Sequence, residues 1–307
     1  MRTKIIIATR ASALAMAQAE WVAKQLAGAH PGLTVVLEKI TTRGDTITDV
    51  PLARIEGKGV FTKELERALL DKRTDLAVHS MKDLPAELPP GLAIACVPER
   101  EDPHDVLVCR EGESSLAALP NGPVIGTSSL RRAAQIRAAR PDTEIIDIRG
   151  NVDTRIRKLH IGTMHAIVLA RAGLNRLGLA AQHAVVNLPF DVMLPAAGQG
   201  ALAIETRQDD GELRELLTPL HHRPTAIATN AERMLLGLVG GGCHVPLGVN
   251  ARQEDGTLRV DAVICSADGR RVARASATAA PDDWQAAVKA VWDDLVAGRR
   301  GDSGNEE

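Results

Sequence analysis

A short apolar run that stops at a polar turn and hands over to a helical pattern recurs along this 307-residue chain. Lys4 to Ala8 is rich in Ile, Thr9-Arg10-Ala11-Ser12 is the turn, and Ala13 to Ala27 has helical spacing with Leu14, Ala17, Trp21 and Leu26 near one face. Thr34 to Ile40 gives a strand. Asp75 to Val78 is a strand running into His79-Ser80-Met81-Lys82-Asp83, and Leu92 to Val97 gives another. Val124-Ile125 leads through Gly126-Thr127-Ser128-Ser129 into a helix over 130–139. Glu144 to Ile148 and Ala166 to Ala170 repeat the plan. Strand–turn–helix repeats of this length point to α/β architecture, in which ligand groups gather at the carboxyl ends of strands.

What stands at those ends is mostly arginine. Arg10, Arg149 and Arg171 each follow a strand directly, while Arg155 and Arg176 lie in the helical turns beyond. Of the 37 basic residues 28 are Arg. Genomic bias would scatter them over helix surfaces, whereas strand ends gather them into a cleft suited to carboxylates. The strongest anion site is Thr127-Ser128-Ser129 with Arg131 and Arg132. Three hydroxyls meet the free N–H groups of a helix start, and two cations there oppose the helix dipole unless an anion completes the site. Lys82 and Asp83, just before Leu84-Pro85, form an acid–base pair whose side chains diverge if the chain is extended. The segment Gly57-Lys58-Gly59-Val60-Phe61 lacks P-loop spacing and has the composition of a lid.

Two segments mark domain crossings: the charged, proline-bounded stretch 98–103, and Leu194-Pro195-Ala196-Ala197-Gly198-Gln199-Gly200. A chain that leaves one α/β lobe, builds a second and returns has the plan of a two-lobed, hinged binding protein. Residues 1–98 with 199–218 form the first α/β domain and 99–198 the second. A different texture follows over 219–300. A helix (225–236) precedes the loop Gly240-Gly241-Gly242-Cys243-His244-Val245-Pro246, strands near 245–250, 258–264 and 272–277, and a helix over 282–297. This is a separate α+β domain, and 301–307 is a polar tail. The glycines leave Cys243 on a bare, reachable loop. Pairing with His244 as a hydrolase nucleophile is disfavoured, because adjacent side chains seldom meet and triad members come from separate segments. A covalent anchor fits better.

Composition closes off other functions. Net charge is −2 and aromatic content 2%, with no Tyr, which argues against a nucleic-acid binder working by charge or by stacking. The four cysteines show neither CxxC nor zinc spacing, as expected of free thiols in a reducing cytoplasm. No apolar run reaches the length of a membrane span or a signal sequence.

The segments ATRASALAMAQA, TTRGD, GKGVFTKELE, AVHSMKDLP, REDPHD, GTSSLRRAAQ, IRGNVDTR, LARAGLNRLGL, LPAAGQGALAIE and GGCHVPLG, in that order from about Ile6 to Val249, resemble the hydroxymethylbilane synthase (porphobilinogen deaminase) family. The resemblance implies three domains, two of them like hinged periplasmic binding proteins. It also implies a dipyrromethane cofactor joined to Cys243 by a thioether. Four porphobilinogen molecules are joined head to tail on that primer, ammonia is lost, and hydrolysis frees 1-hydroxymethylbilane. Asp83 matches the catalytic aspartate. Lys82, Asp83, Thr127, Ser128, Ser129, Arg131, Arg132, Arg149 and Gly150 fall to the cofactor; Arg10, Ser12, Gln18, Arg149, Arg155, Arg176 and Gln199 fall to the substrate. No metal is implied, and the chain is expected to be a cytoplasmic monomer. It departs from the family at Gly240, where an acidic residue is common, at His244, often Gln, and at Arg54, often Lys. The competing reading is a two-lobed solute-binding or ligand-sensing protein for a polycarboxylate, which leaves Cys243 and Asp83 without a task.

Overall fold

A computed structural model of the chain describes residues 2–46, 61–240 and 245–301. In order, the elements are β1 (Lys4–Arg10), α1 (Ala13–Ala29), β2 (Thr34–Ile40), α2 (Arg43–Thr46), α3 (Lys63–Leu70), β3 (Leu76–Ser80), β4 (Leu92–Cys96), β5 (Asp105–Cys109), β6 (Val124–Gly126) and α4 (Leu130–Ala139). There follow β7 (Glu144–Ile146), α5 (Val152–Ile161), β8 (Ala166–Ala170), α6 (Arg171–Arg176), β9 (Val185–Asn187), β10 (Leu202–Arg207), α7 (Gly211–Leu217) and α8 (Arg223–Leu238). The chain closes with β11 (Leu247–Glu254), β12 (Thr257–Cys265), β13 (Val272–Ala279) and α9 (Trp284–Gly301). Two compact units result: Met1–Glu101 with Gly200–Ala226, and Asp102–Gln199 with Ile227–Glu307.

The first unit holds a five-stranded sheet in the order β2-β1-β3-β10-β4. The strands β2, β1 and β3 are parallel, and β10, the strand on which the chain returns, runs antiparallel to both β3 and β4. Helix α1 seats Ala15, Gln18, Ala19, Val22 and Leu26 on the sheet. This corrects the expected face. Its core stripe runs one position off the expected one, through Ala15, Ala19, Val22 and Leu26, and the bulky Trp21 is 42% exposed. The amphipathic α3 buries Leu65, Ala68 and Leu69 with Ala8, Ala77 and Leu92.

The second unit repeats the plan with order β7-β6-β8-β5-β9, in which β6 is parallel to β7 and β8 while β5 is antiparallel to β8 and β9. Sequence periodicity left β5, β9 and α7 unread. The five residues of β5 are all buried, so no alternation marks it. Joined to this lobe is the antiparallel meander β11-β12-β13. Its own core brings Ala231 and Leu235 of α8 and Val288, Val291 and Leu295 of α9 against Val249, Leu258, Val260 and Ile264. Along β13 burial alternates residue by residue, with Ala273, Ala275, Ala277 and Ala279 turned toward that core.

Candidate active site

In the first unit β1 and β3 are parallel neighbours, so their carboxyl ends share one edge of the sheet. Arg10 ends β1, and its guanidinium lies 4.1 Å from the centre of the Phe61 ring, a cation–π contact. The ring in turn lies over Gly44, where a Cβ would come within 2.0 Å of it; the glycine of TTRGD is what admits the aromatic side chain. Ser12 is the N-cap of α1 and accepts from the Ala15 N–H at 3.3 Å. Gln18 is buried in the same helix. It donates to Ser80 Oγ at 2.9 Å and accepts from it at 3.3 Å, tying α1 to the last residue of β3.

Lys82 and Asp83 follow. The extended run expected for them is instead a 3₁₀ turn, Met81–Asp83, closed by the Leu84 N–H donating to the Met81 carbonyl at 3.1 Å. The Met81 N–H donates to Ala201 at 3.0 Å, and the buried Met81 and Leu84 pack with Val97, Ala201 and Ala203. With both ends of the turn anchored in the core, Lys82 and Asp83 are presented outward and exposed. Successive residues of a 3₁₀ turn point about 120° apart. Acid and amine therefore still diverge.

In the second unit Ser129 caps α4, accepting from the Arg132 N–H at 3.4 Å. The Ser128 hydroxyl is engaged by the backbone of Ile148, donating at 2.7 Å and accepting at 3.2 Å, and Thr127 Oγ1 accepts from the Ser129 N–H at 3.2 Å. These hydroxyls brace the strand-to-helix turn. Arg131 and Arg132 are buried, and the anion that offsets them belongs to the chain itself. Asp105 Oδ2 accepts from Arg131 Nη1 at 2.6 Å, and Oδ1 from Arg132 Nε at 2.9 Å and Nη2 at 2.7 Å. Gln199 Nε2 donates to the same Oδ1 at 3.0 Å. Asp105 was not singled out from the sequence. The available signal is that the last acidic residue of REDPHD heads the wholly apolar run Val-Leu-Val-Cys.

Burial alone would push the Asp105 carboxyl upward. The charges of Arg131 and Arg132, with hydrogen bonds from Arg131 and Gln199, outweigh that and hold it well below the usual carboxylate range. Nearby, burial and then the charges of Arg132 and Arg149 bring the Arg155 pKa down to about 10 against the opposing pull of Asp147. Arg155 Nε donates to the Gly150 carbonyl at 2.8 Å. Gly150 sits at φ +114°, where a Cβ would lie 2.7 Å from Thr154, so the turn accepts only glycine. Arg176 ends α6, half-buried.

Arg54, residues 57–60 of the expected lid, and Cys243 with Gly241, Gly242 and His244 lie outside the described residues. Among the described residues no group of three His, Cys, Asp or Glu side chains could hold a metal ion, and no helix is long and apolar enough to cross a membrane. Arg132, Arg149 and Arg155 lie close enough to feel one another's charge, and such a cluster of guanidinium groups fits a ligand bearing several carboxylates, as a dipyrromethane with acetate and propionate arms does.

Two five-stranded sheets of one plan, the first beside the exposed Asp83 and the second beside the buried Asp105, Arg131 and Arg132, with an added antiparallel meander, define a mixed α/β protein of repeated architecture. The comparisons name the family within it. Residues 5–215 match the family model "Porphobilinogen deaminase, dipyromethane cofactor binding domain", and 226–297 match "Porphobilinogen deaminase, C-terminal domain". The chain is 54% identical over 263 residues to a porphobilinogen deaminase of Syntrophotalea carbinolica, covering 86% of this chain and 83% of that one. It is 49% identical over 301 residues to that of Gloeobacter violaceus, covering 97% and 92%. Solved structures with likeness include the probable amino-acid ABC transporter extracellular-binding protein ytmK from Bacillus subtilis. That match has TM-score 0.45, 10% identity, and 72% and 90% of the two chains covered, too remote to speak for function. The chain belongs to the porphobilinogen deaminase family. Its activity is that of a transferase of tetrapyrrole biosynthesis with a dipyrromethane cofactor.

Proposed function

We propose the following division of labour for this chain's conversion of porphobilinogen to 1-hydroxymethylbilane. Asp83, exposed at the end of the buried-ended 3₁₀ turn, is the catalytic carboxylate. As the aminomethyl C–N bond of porphobilinogen breaks and ammonia leaves, positive charge spreads onto the pyrrole nitrogen, and a carboxylate hydrogen-bonded there stabilises it. The same group carries away the proton that must leave the ring carbon for aromaticity to return. Lys82, diverging from it, pairs with a carboxylate arm. Arg10, Ser12 and Gln18 in the first unit, and Arg149, Arg155, Arg176 and Gln199 in the second, hold the acetate and propionate groups of the substrate. Thr127, Ser128, Ser129, Arg131, Arg132, Arg149 and Gly150, with Lys82 and Asp83, hold the cofactor. When bound through Cys243, the cofactor supplies the nucleophilic pyrrole carbon on which the chain of rings is built.

The observation that supports this reading is geometric: Asp83 stands exposed on a 3₁₀ turn whose two ends, Met81 and Leu84, are buried in the core. We take the chain to work as a cytoplasmic monomer of three domains, over 1–98 with 199–218, 99–198 and 219–300, without nucleic-acid partners. The decisive experiment combines intact mass under denaturing conditions with turnover. Asp83→Asn is expected to keep the mass increment of two pyrrole rings on Cys243 while turnover falls by about 10²-fold or more. Near-normal turnover in that variant would remove Asp83 from its role.

A further inference from the structure

The return crossing 195–199 is held from two sides. On one, Gln199 Nε2 reaches Asp105 Oδ1 at 3.0 Å and the Pro103 carbonyl at 2.8 Å. On the other stands Glu232, which is fully buried on α8 and plays no part in the roles given above. Its Oε2 accepts from the Gly198 N–H at 2.6 Å and its Oε1 from the Ala251 N–H of β11 at 2.8 Å. Gly198 takes φ +71°, and the Gln199 N–H closes the turn onto Ala196 at 2.9 Å. Beside it the Val249 N–H donates to Pro195 at 2.8 Å. A Cβ on Gly248 would lie 2.7 Å from the Leu194 carbonyl, so β11 and the crossing touch backbone to backbone.

A continuous line therefore runs from β11 through Glu232, Gly198, Gln199 and Asp105 to Arg131 and Arg132. A buried carboxylate is a costly way to join two elements if stability were its only use, since apolar side chains of similar volume do as well. What it provides is a fixed geometry. We propose that Glu232 is a positioning residue for the carboxylate-binding arginines: by tying Gly198 to β11 it sets where Gln199 meets Asp105, and so where Arg131 and Arg132 stand. This rests on the reading that those arginines grip carboxylates.

The test is a double-mutant cycle on protein shown by mass to carry the primer, with melting temperature followed in parallel. Glu232→Gln sets an amide N–H against a backbone N–H, and Gln199→Leu cuts the next link. Each is expected to raise the KM for porphobilinogen about tenfold while kcat stays within about twofold. The double variant is expected to be no worse than the worse single, because both act on one line. Leu235→Ala, a core truncation in the same helix, is expected to lower the melting temperature, leave KM in place and add independently to Gln199→Leu. Arg132→Leu separates the premises. If it leaves both primer content and KM unchanged, the carboxylate-gripping role itself fails. If it lowers primer content or raises KM while Glu232→Gln does neither, or if the Glu232 and Gln199 effects multiply, the positioning role alone is overturned. Should Glu232→Gln not fold, Glu232→Asp keeps both acceptors one methylene short and carries the same readouts.

Discussion

Asp105 answers for two guanidinium groups with a single negative charge, so its removal strands both in the interior. Asp105→Asn is expected to cost about 3–5 kcal/mol, the range for breaking a buried pair from one side. Because the folded-state pKa lies below that of an unfolded aspartate, this contribution is complete above about pH 4 and is lost as pH falls through the folded-state value. The gap in stability between wild type and Asp105→Asn, measured by urea unfolding, should thus be constant from pH 7 down to about 4 and narrow below it. A gap that stayed constant into stronger acid would mean that the carboxylate is not depressed. Gly150 shows the same dependence on neighbours in a simpler form, since Thr154 and a positive φ together leave no room for another residue.

Among the elements, β3 and β10 carry more than the turn that presents Asp83. His79 Nε2 lies 2.9 Å from Glu205 Oε2, both buried, with Glu66 of α3 packed nearby. Burial pushes the Glu66 carboxyl up; the Glu205 charge adds to this, while a hydrogen bond from Thr62 and the His79 and Lys63 charges oppose it. For a raised carboxylate the sign reverses: stability is complete below the unfolded value of about 4.3 and declines as pH rises toward the folded one. Glu66→Gln is therefore expected to melt higher than wild type at pH 7–8, with the advantage disappearing near pH 4. An advantage independent of pH would assign the effect to packing instead. At this scale the sequence spoke unevenly. The α4 and β8 boundaries follow directly from its pattern, because a capping serine and an apolar run bounded by polar residues are local signals. The buried β5, with no alternation, gave none. The face of α1 is not legible from side-chain size, because Trp21 points to solvent while Ala15, Gln18 and Ala19 are buried beside Val22 and Leu26.

For the molecule as a whole, the chain builds one α/β plan twice, crosses after Glu101 and returns at Gly200, where the Glu101 N–H donates to the Gly200 carbonyl at 3.2 Å. Its thiols give a global test. Cys96, Cys109 and Cys265 are buried, and burial pushes their pKa values up, to about 12 for Cys96 and about 11 for Cys109. Thiols so protonated and enclosed do not alkylate. Native protein carrying its primer should take up no iodoacetamide at pH 8, protein without the primer one equivalent, and Cys243→Ser none; denaturation should expose three sites in that variant. Labelling of native Cys243→Ser would place a reactive thiol elsewhere and weaken the assignment of the anchor. The sequence by itself determined the α/β class, the family and the arginines at strand ends, because strand–turn–helix periodicity and the ordered motifs are local properties of the chain. Only the tertiary structure decided which anion offsets Arg131 and Arg132, that Phe61 lies between Gly44 and Arg10, and that Glu232 joins β11 to the return crossing. Those contacts span from about 17 to 51 residues of sequence, and no local pattern encodes which buried charge will meet which partner.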